Sequence, residues 1–311
     1  MAELQLSNIN SPAAVFPEEM IRRDEITYHA TIRRIADHII LGENIKLILL
    51  AGPSGSGKTT TANLLSDAIR ARDEGCMVVS LDDFYKVHSD PSYPRREDGE
   101  LDFECPEALD LDLLHTVLSD IVANRPFSVP KYDFKVGGRV AKKDYPPVGH
   151  GCVIIEGLHA LNPMFWGTLP KENLFKIFVS VSTNINVGDE RILSGRKVRF
   201  LRRLVRDSIF RGADATRTLS MWQEVLKAED VYLYPYKNLA DVALNTFHSF
   251  ELGVMRPFAD KLLRISELDG DPYVETVRAA LERIITVDVS LVPANSLIRE
   301  FVAGGIYEKI Y

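Results

Sequence analysis

Five short apolar runs recur along the chain, and each has the length of a buried β-strand. They are residues 46–51, 77–81, 152–156, 175–181 and 241–245. Segments with helical periodicity separate several of them. Strands that are apolar along their whole length and alternate with helices are typical of a parallel sheet covered on both faces. The pattern therefore predicts an α/β fold with a doubly wound parallel core.

The segments on either side of this core are mostly helical in pattern. Residues 17–42 predict one long helix, because Pro17 lies near its start, Gly42 follows its end and its apolar positions fall on one face. Residues 1–16 are polar, and we expect them to be poorly ordered. Beyond residue 250, helices are expected over 250–264, 272–285 and near 295–303.

A long insert, residues 82–150, separates the second and third predicted strands. It contains one helical pattern, over residues 107–123. The turn-rich stretch 127–147 predicts a β-hairpin that turns at Gly137-Gly138.

The first predicted strand leads directly into a glycine-rich phosphate-binding motif. Residues 52–59, GPSGSGKT, match G-x-x-x-x-G-K-[ST] at every fixed position, and an amphipathic helical pattern follows. In such a loop, backbone N–H groups and the helix N-terminus bind phosphate oxygens, the lysine contacts the β- and γ-phosphates, and the threonine binds Mg²⁺. The alternative is a glycine turn without a ligand, which the complete motif in this context disfavours. The predicted nucleotide-binding residues are Gly52, Pro53, Ser54, Gly55, Ser56, Gly57, Lys58, Thr59 and Thr60.

Acidic residues end the second and third predicted strands. Asp82 and Asp83 follow the second strand, and Glu156 ends the third. Because the carboxyl ends of parallel strands border the ligand crevice, we expect Asp82 and Glu156 beside the phosphate loop. Thr59, Asp82 and Glu156 then form a predicted Mg²⁺ site, and Asp82 can also activate an acceptor hydroxyl. Alternatively, the two aspartates only cap a helix or stabilise a turn, and Glu156 only marks the point where the strand leaves the core.

Residues 191–212 form a strongly basic helical pattern in an otherwise acidic chain, with Asp207 as the one acid in this stretch. The basic residues are Arg191, Arg196, Lys197, Arg199, Arg202, Arg203, Arg206 and Arg211. Such a helix can close over a triphosphate and neutralise charge as the phosphoryl group moves. The alternatives are a solvated face paired with acidic neighbours, and RNA binding, which the shortness of the patch disfavours.

Composition limits the class of protein. The 311 residues carry a formal net charge of −7, with 46% apolar and 26% charged residues, which is typical of a globular protein and unlike a general nucleic-acid binder.

The three cysteines, Cys76, Cys105 and Cys152, match neither a disulfide framework nor a metal motif. The N-terminal sequence lacks signal-peptide features and no apolar run is long enough to span a bilayer, so we expect a cytoplasmic protein. Four histidines show no metal spacing and are interpreted as structural: His88, His115, His150 and His159.

Further motifs follow the phosphate loop in a fixed order. They are Ser80-Leu81-Asp82-Asp83-Phe84-Tyr85, Phe103-Glu104-Cys105-Pro106, Val129-Pro130-Lys131-Tyr132-Asp133-Phe134, Ile155-Glu156-Gly157, and Arg202-Arg203-Leu204-Val205-Arg206-Asp207 with Arg211-Gly212. In this order they resemble the uridine kinase/phosphoribulokinase family over residues 46–250. Tyr234-Pro235-Tyr236 and residues 296–301 resemble a bacterial uridine-kinase-like branch, whose extra N-terminal domain we do not expect in this chain.

The resemblance implies a five-stranded parallel core, an inserted hairpin that helps to hold the acceptor, an arginine lid, and ATP and Mg²⁺ as cofactors. Asp82 takes the place of the catalytic aspartate, and Glu104 that of an acid that binds ribose hydroxyls. The predicted catalytic residues are Lys58, Asp82, Arg203 and Arg206, and Arg211 joins the nucleotide-binding set. The predicted acceptor site comprises Asp82, Tyr85, Phe103, Glu104, Tyr132, Arg139 and Arg203.

Three positions depart from the pattern of the family. Gly137 stands where uridine kinases usually have a histidine that reads the pyrimidine edge. Ala213 stands where an arginine often follows the lid glycine, and Glu104 replaces the more usual aspartate. These departures concern recognition of the base rather than phosphoryl transfer.

The motifs together predict phosphorylation of the 5′-hydroxyl of a uridine- or cytidine-like nucleoside by ATP. Two alternatives stay open: a kinase of the same fold for a sugar phosphate or a pantothenate-like alcohol, and an ATP-sensing regulatory protein.

We expect an N-terminal segment and helix (1–45), a P-loop kinase domain (46–250) and a helical C-terminal extension packed on the core (251–311). No nucleic-acid or membrane partner is expected, while GTP as the donor and a homo-oligomer are left open.

Overall fold

The computed structural model describes residues 2–42 and 44–307. The strands are β1 (Ala2–Gln5), β2 (Leu47–Ala51), β3 (Cys76–Ser80), β4 (Phe127–Asp133), β5 (Gly138–Tyr145), β6 (Cys152–Gly157), β7 (Leu174–Ser180), β8 (Thr183–Val187), β9 (Glu190–Leu193) and β10 (Val242–Asn245). The α-helices are α1 (Ser7–Val15), α2 (Pro17–Leu41), α3 (Lys58–Arg70), α4 (Leu111–Val122), α5 (Pro163–Trp166), α6 (Gly195–Arg211), α7 (Ala215–Tyr232), α8 (Glu251–Leu263), α9 (Pro272–Glu282) and α10 (Arg299–Val302). In these described ranges, no helix combines the length and the apolar character that crossing a bilayer requires.

The five predicted apolar runs form one sheet in which neighbouring strands are all parallel. Its order is β10-β7-β2-β6-β3. Alternate side chains of β2 enter two different apolar clusters, since Ile48 belongs to one and Leu49 to the other. Both faces of the sheet are therefore covered, which explains why β2 and β6 are buried along their whole length. The predicted α/β fold with a five-stranded parallel sheet is confirmed.

The register of the sheet brings three strand ends to one edge. Ala51, the last residue of β2, lies opposite Gly157 of β6, and Ser80, the last residue of β3, lies opposite Glu156. The phosphate loop follows β2 directly. The elements that carry the predicted phosphate and metal ligands therefore meet at the carboxyl edge, where parallel sheets bind ligands.

A second sheet, which the apolar pattern does not predict, has the order β1-β8-β9. The expectation that residues 1–16 are poorly ordered is wrong for residues 2–15, which form β1 and α1. Backbone pairing with β8 and polar contacts hold β1. The carboxylate of Glu3 accepts hydrogen bonds at 2.9 Å from the side-chain amides of both Asn184 and Asn186.

The insert folds into the predicted hairpin and helix, with changed boundaries. β4 and β5 are antiparallel, and the turn comprises residues 134–137, so that Gly138 already begins β5. Gly137 has a φ of +69°, in the left-handed region that favours glycine. The predicted helix over 107–123 is divided into a 3₁₀ turn, Pro106–Ala108, and α4.

Both flanking segments pack on the same face of the central sheet. The prediction of α2 is confirmed, and Pro17 occupies its first turn, where proline is favoured. The last predicted helix is shorter than expected, since α10 has four residues. One apolar cluster contains Ile32 of α2, Ile48 of β2 and Phe301 of α10. The division into three segments stays a prediction, and Met1, Glu43 and residues 308–311 of those segments lie outside the described residues.

Candidate active site

The phosphate-binding loop between β2 and α3 has a backbone conformation that requires glycine. Gly55 and Gly57 have φ of +73° and +84°. A Cβ atom at Gly52 would lie 2.3 Å from the carbonyl oxygen of Val179 on β7. The first N–H groups of α3 have no acceptor within the helix and lie beside this loop. The hydroxyl oxygen of Ser56 is buried and has no hydrogen-bond partner among the described residues, which fits a loop that receives a ligand.

One buried ion pair holds the backbone of this loop in place. Arg199 of α6 donates to both carboxylate oxygens of Glu229 of α7, each at 2.8 Å, and to the carbonyl oxygen of Ser54 at 2.8 Å. Glu229 also accepts the N–H of Ser54 at 2.8 Å. The pair therefore binds both backbone polar groups of Ser54. Its side chains are 1% and 0% exposed, so no solvent competes for these contacts.

A second buried pair supports the next residue of the loop. Arg202 donates to the carbonyl oxygen of Gly55 at 3.2 Å and lies 2.5 Å from the carboxylate of Glu251 on α8. Burial raises the pKa of Glu251, and the charge of Arg202 opposes that rise. The prediction that the basic cluster closes over a triphosphate is therefore wrong for Arg199 and Arg202, which are structural. The predicted helical bounds 191–212 are also wrong at their start, because Arg191 lies in β9 and α6 begins only at Gly195.

Three other arginines of α6 converge on one carboxylate. Arg203 and Arg211 each lie 3.2 Å from Asp207, and Arg206 lies 3.4 Å from it. Arg203 also donates to the hydroxyl of Ser54 at 3.0 Å, so its guanidinium lies beside the phosphate loop. Burial lowers the pKa of Arg203, and the charge of Asp207 opposes this change. The predicted lid arginines are thus close together, and their contact with a nucleotide stays a prediction.

Lys58 lies among carboxylates at the mouth of the loop. Its ammonium donates to the carbonyl oxygen of Pro53 at 3.2 Å. Burial lowers the pKa of Lys58, whereas the charges of Glu156, Asp82 and then Glu300 raise it. The register of the sheet brings the loop that carries Lys58 and the strand ends that carry Asp82 and Glu156 to the same edge, as predicted.

The two neighbouring aspartates after β3 have different surroundings. Both lie in the 3₁₀ turn Leu81–Phe84, where Asp82 is exposed at the edge of the site. Asp83 accepts the N–H of Tyr132 at 3.2 Å and pairs with Lys131 at 3.1 Å. Asp83 therefore attaches the hairpin to the sheet edge, and Asp82 is the aspartate that stays a candidate base.

The predicted metal ligands lie at the same edge. Glu156 is 3% exposed and accepts a hydrogen bond from the hydroxyl of Ser80 at 2.9 Å. Thr59 is in the first turn of α3. Within residues 2–42 and 44–307, no group of three or more His, Cys, Asp or Glu side chains is close enough to hold a metal ion. A Mg²⁺ ion held by Asp82 and Glu156 would therefore also need Thr59 and phosphate oxygens as ligands, which is the arrangement expected in phosphoryl transfer.

Aromatic side chains of the insert meet next to Asp82. The ring centroid of Tyr85 lies 6.2 Å from that of Phe103, 5.8 Å from Tyr132 and 5.3 Å from Phe134. The hydroxyl of Tyr85 donates to the carbonyl oxygen of Phe103 at 2.7 Å. Burial raises the pKa of Tyr85 well above its usual value, and the charge of Asp82 adds to this rise. The three predicted acceptor-site aromatics are therefore together in space.

The two charged residues predicted for the acceptor site differ in their contacts. Burial raises the pKa of Glu104, and the charge of nearby Arg203 opposes that rise. Arg139 forms an ion pair with Asp110 at 2.7 Å. Because Asp110 caps α4, this pair ties the hairpin to that helix. A contact between Arg139 and an acceptor stays a prediction.

Sequence reasoning missed an acidic residue at the phosphate loop. The carboxylate of Glu300 in α10 accepts the N–H of Thr60 at 3.1 Å and lies 3.9 Å from Arg206. A Cβ atom at Gly57 would lie 2.7 Å from the side chain of Leu297, so the same C-terminal segment covers this part of the loop. No local pattern identifies the contact, because 240 positions separate Thr60 from Glu300.

The chain is similar to several known proteins. The model of the "Phosphoribulokinase / Uridine kinase family" matches residues 47–251. The protein named uridine-cytidine kinase-like 1 from Mus musculus is 32% identical over 197 residues, a match that covers 63% of this chain and 32% of that protein. The chain thus spans about a third of the length of this relative. The uridine kinase of Lactobacillus johnsonii is 27% identical over 197 residues, which are 63% of this chain and 84% of that enzyme. The solved structure of a protein from Silicibacter sp. TM1040, described as a candidate fructose transport system kinase, is 17% identical with a TM-score of 0.49, and the match covers 68% of this chain and 98% of that one.

Proposed function

This chain belongs to the phosphoribulokinase/uridine kinase family, and we propose that it transfers the γ-phosphoryl group of ATP to the 5′-hydroxyl of a uridine- or cytidine-like nucleoside. The products are the nucleoside monophosphate and ADP. One observation carries the proposal. The sheet places three groups at one edge: the phosphate loop with Lys58, the strand-end carboxylates Asp82 and Glu156, and the aromatic cluster around Tyr85. A triphosphate on the loop and a planar acceptor on the aromatic rings would meet at Asp82.

The loop binds the triphosphate through its backbone N–H groups, the N-terminus of α3 and the ammonium of Lys58. One contact supports this role. The N–H of Thr60 in the first turn of α3 binds the carboxylate of Glu300 at 3.1 Å. This N–H therefore points toward a negatively charged oxygen, which is what a phosphate presents.

The chemical step requires one base and several cations. Asp82 accepts the proton of the 5′-hydroxyl as this oxygen forms a bond to the γ-phosphorus, while the bond to the bridging oxygen breaks and its electron pair stays on ADP. Arg203 and Arg206 stabilise the charge that spreads over the transferred group. Thr59, Asp82 and Glu156 would hold Mg²⁺, which when bound neutralises phosphate charge.

A panel of acceptors tests the proposal. We expect ADP release from ATP to be fastest with uridine or cytidine, with kcat/KM at least about tenfold above that for sugar phosphates or pantothenate, because only a nucleoside fills the aromatic cluster. Purine nucleosides and thymidine complete the panel. A sugar phosphate or pantothenate as the best acceptor would replace the nucleoside in the proposal. Tight ATP binding without transfer to any acceptor would instead favour an ATP-sensing protein.

Replacing Glu300 with glutamine should tighten ATP binding about three- to tenfold. Triphosphate must displace the Glu300 carboxylate from the N–H of Thr60, and the neutral amide competes less well for this donor and does not repel phosphate. Titration with a fluorescent ATP analogue measures the Kd. Glu282→Gln is the matched control, because Glu282 is 56% exposed and pairs with Arg264 on the surface. Unchanged or weaker ATP binding by Glu300→Gln would contradict competition at this site.

A further inference from the structure

The space beside Gly137 is filled by the ring of a histidine from another segment. A Cβ atom at Gly137 would lie 2.2 Å from Nδ1 of His88 and 2.6 Å from its Cε1 atom, so a side chain at position 137 and this ring exclude each other. The N–H of His88 also donates to the carbonyl oxygen of Gly137 at 2.9 Å. The segment after Tyr85 is thus fixed to the hairpin turn, with its imidazole where a residue of the turn would otherwise project.

His88 belongs to the aromatic cluster of the acceptor region. Its ring centroid lies 5.3 Å from that of Phe103, 6.2 Å from Tyr93 and 6.4 Å from Tyr132. The same cluster reaches Tyr85 through Phe103 and Tyr132. His88 therefore extends the ring surface that begins next to Asp82.

Three buried polar atoms in this cluster have no hydrogen-bond partner in the described part of the chain. They are Nε2 of His88 and the hydroxyl oxygens of Tyr93 and Tyr132. Buried polar atoms are nearly always paired, because an unpaired one loses its bond to water and gains nothing in return. Three such atoms on neighbouring rings indicate a ligand that has both a planar face and a polar edge.

The charges near the cluster favour an uncharged ligand. The two cations of the hairpin that flank Tyr132 are already paired, Lys131 with Asp83 at 3.1 Å and Arg139 with Asp110 at 2.7 Å. A phosphate group in this region would have to break these pairs. A heteroaromatic base would stack on the rings and leave the ion pairs intact.

We propose that His88, whose ring fills the space beside Gly137, reads the polar edge of the acceptor base through Nε2. Neutral imidazole has one N–H donor and one acceptor nitrogen, so it can bind either a carbonyl oxygen or an amino group of a pyrimidine. Tyr93 adds a hydroxyl that can donate or accept beside it. This inference rests on the proposed nucleoside acceptor and specifies how that acceptor is recognised.

The test compares His88→Phe with the unaltered protein. Phenylalanine keeps a ring against Phe103 but has no polar atom, so the KM for uridine should rise about 10- to 100-fold, with kcat changed less than about threefold and the Kd for ATP unchanged. His88→Gln, which keeps a polar side chain, should recover part of the affinity. His150→Phe is the matched control, because His150 is exposed and lies outside the cluster. It should have the kinetics of the unaltered protein.

A second measurement does not depend on the folding of a variant. In protein labelled with ¹⁵N at histidine, uridine should shift the nitrogen resonances of one imidazole, and ribose, which has no base, should leave them in place. If the protein phosphorylates uridine and His88→Phe has an unchanged KM, the inference is wrong and the proposed function stands. The absence of a uridine-specific imidazole shift would overturn the inference in the same way. If no nucleoside is bound or phosphorylated, the proposed function fails, and the role of His88 fails with it.

Discussion

Asp82→Asn should lower kcat about 10²- to 10⁴-fold, which is the usual contribution of a positioned general base. The asparagine amide has nearly the size of the carboxylate but cannot accept the proton of the acceptor hydroxyl. Since Asp82 is exposed, the free energy of unfolding should change little. ATP should still bind, because the phosphate contacts come from Lys58 and the N–H groups of the loop. Steady-state ADP release and an ATP titration measure the two effects separately.

Asp83→Asn is the control for this variant. It changes the neighbouring residue by the same chemistry, but Asp83 binds the N–H of Tyr132 and Lys131 rather than facing Lys58. Its loss should loosen the hairpin and raise the KM for the acceptor, while kcat stays within about tenfold of the unaltered value. Normal turnover by Asp82→Asn, or an equal loss of kcat in both variants, would end the assignment of Asp82 as the base.

Arg199→Met should reduce the free energy of unfolding by about 3–5 kcal/mol, the cost of leaving one partner of a buried ion pair without its counter-charge. The carboxylate of Glu229, which is 0% exposed, would keep its hydrogen bond from the N–H of Ser54 but lose both bonds from Arg199. The loop would also lose the contact to the carbonyl oxygen of Ser54. The affinity for ATP should fall as well, because the phosphate loop of the variant is less well ordered before ATP binds. Urea unfolding monitored by circular dichroism measures the stability.

Two further variants distinguish the effect of breaking the buried ion pair from the effect of removing any positive charge from α6. Arg196→Met removes a guanidinium from the same helix, but Arg196 and its partner Asp230 are 45% and 51% exposed, so the expected loss is only about 0–1 kcal/mol. In Arg199→Met/Glu229→Met both charges are absent, and stability should be higher than in Arg199→Met alone. Equal destabilisation by Arg196→Met and Arg199→Met would contradict the role assigned to the buried pair.

The central sheet could be predicted from sequence because its signal is local. The central strands β2 and β6 are short runs buried on both faces, so their apolar residues mark their positions, at 47–51 and 152–157. β1 gives no such signal, since its residues Ala2–Gln5 are mostly exposed and its stability comes from pairing with β8. Backbone pairing between distant segments leaves little trace in composition, which explains why the second sheet was missed.

The candidate site also contains some residues that could be predicted from the sequence and others that could not. The phosphate loop is specified by its own glycines and by Lys58, and the carboxylates by their place at strand ends, so these could be found from sequence. The roles of the arginines could not, because Arg199 and Arg202 are distinguished from Arg203 only by partners 30 and 49 positions away. The sequence shows that the helix is basic. It does not show which arginines are buried next to Glu229 or Glu251, where they support the loop backbone, and which face a ligand.

The position of the new phosphate on uridine is the most direct test of the proposed reaction. The protein, ATP, Mg²⁺ and uridine are incubated together, and the mixture is followed by ³¹P NMR. A new phosphate resonance coupled to the two C5′ protons of the ribose should grow in step with ADP, and Asp82→Asn should abolish nearly all of it. Conversion of ATP only to ADP and inorganic phosphate, or a phosphate on any other position of the nucleoside, would contradict transfer to the 5′-hydroxyl at this site.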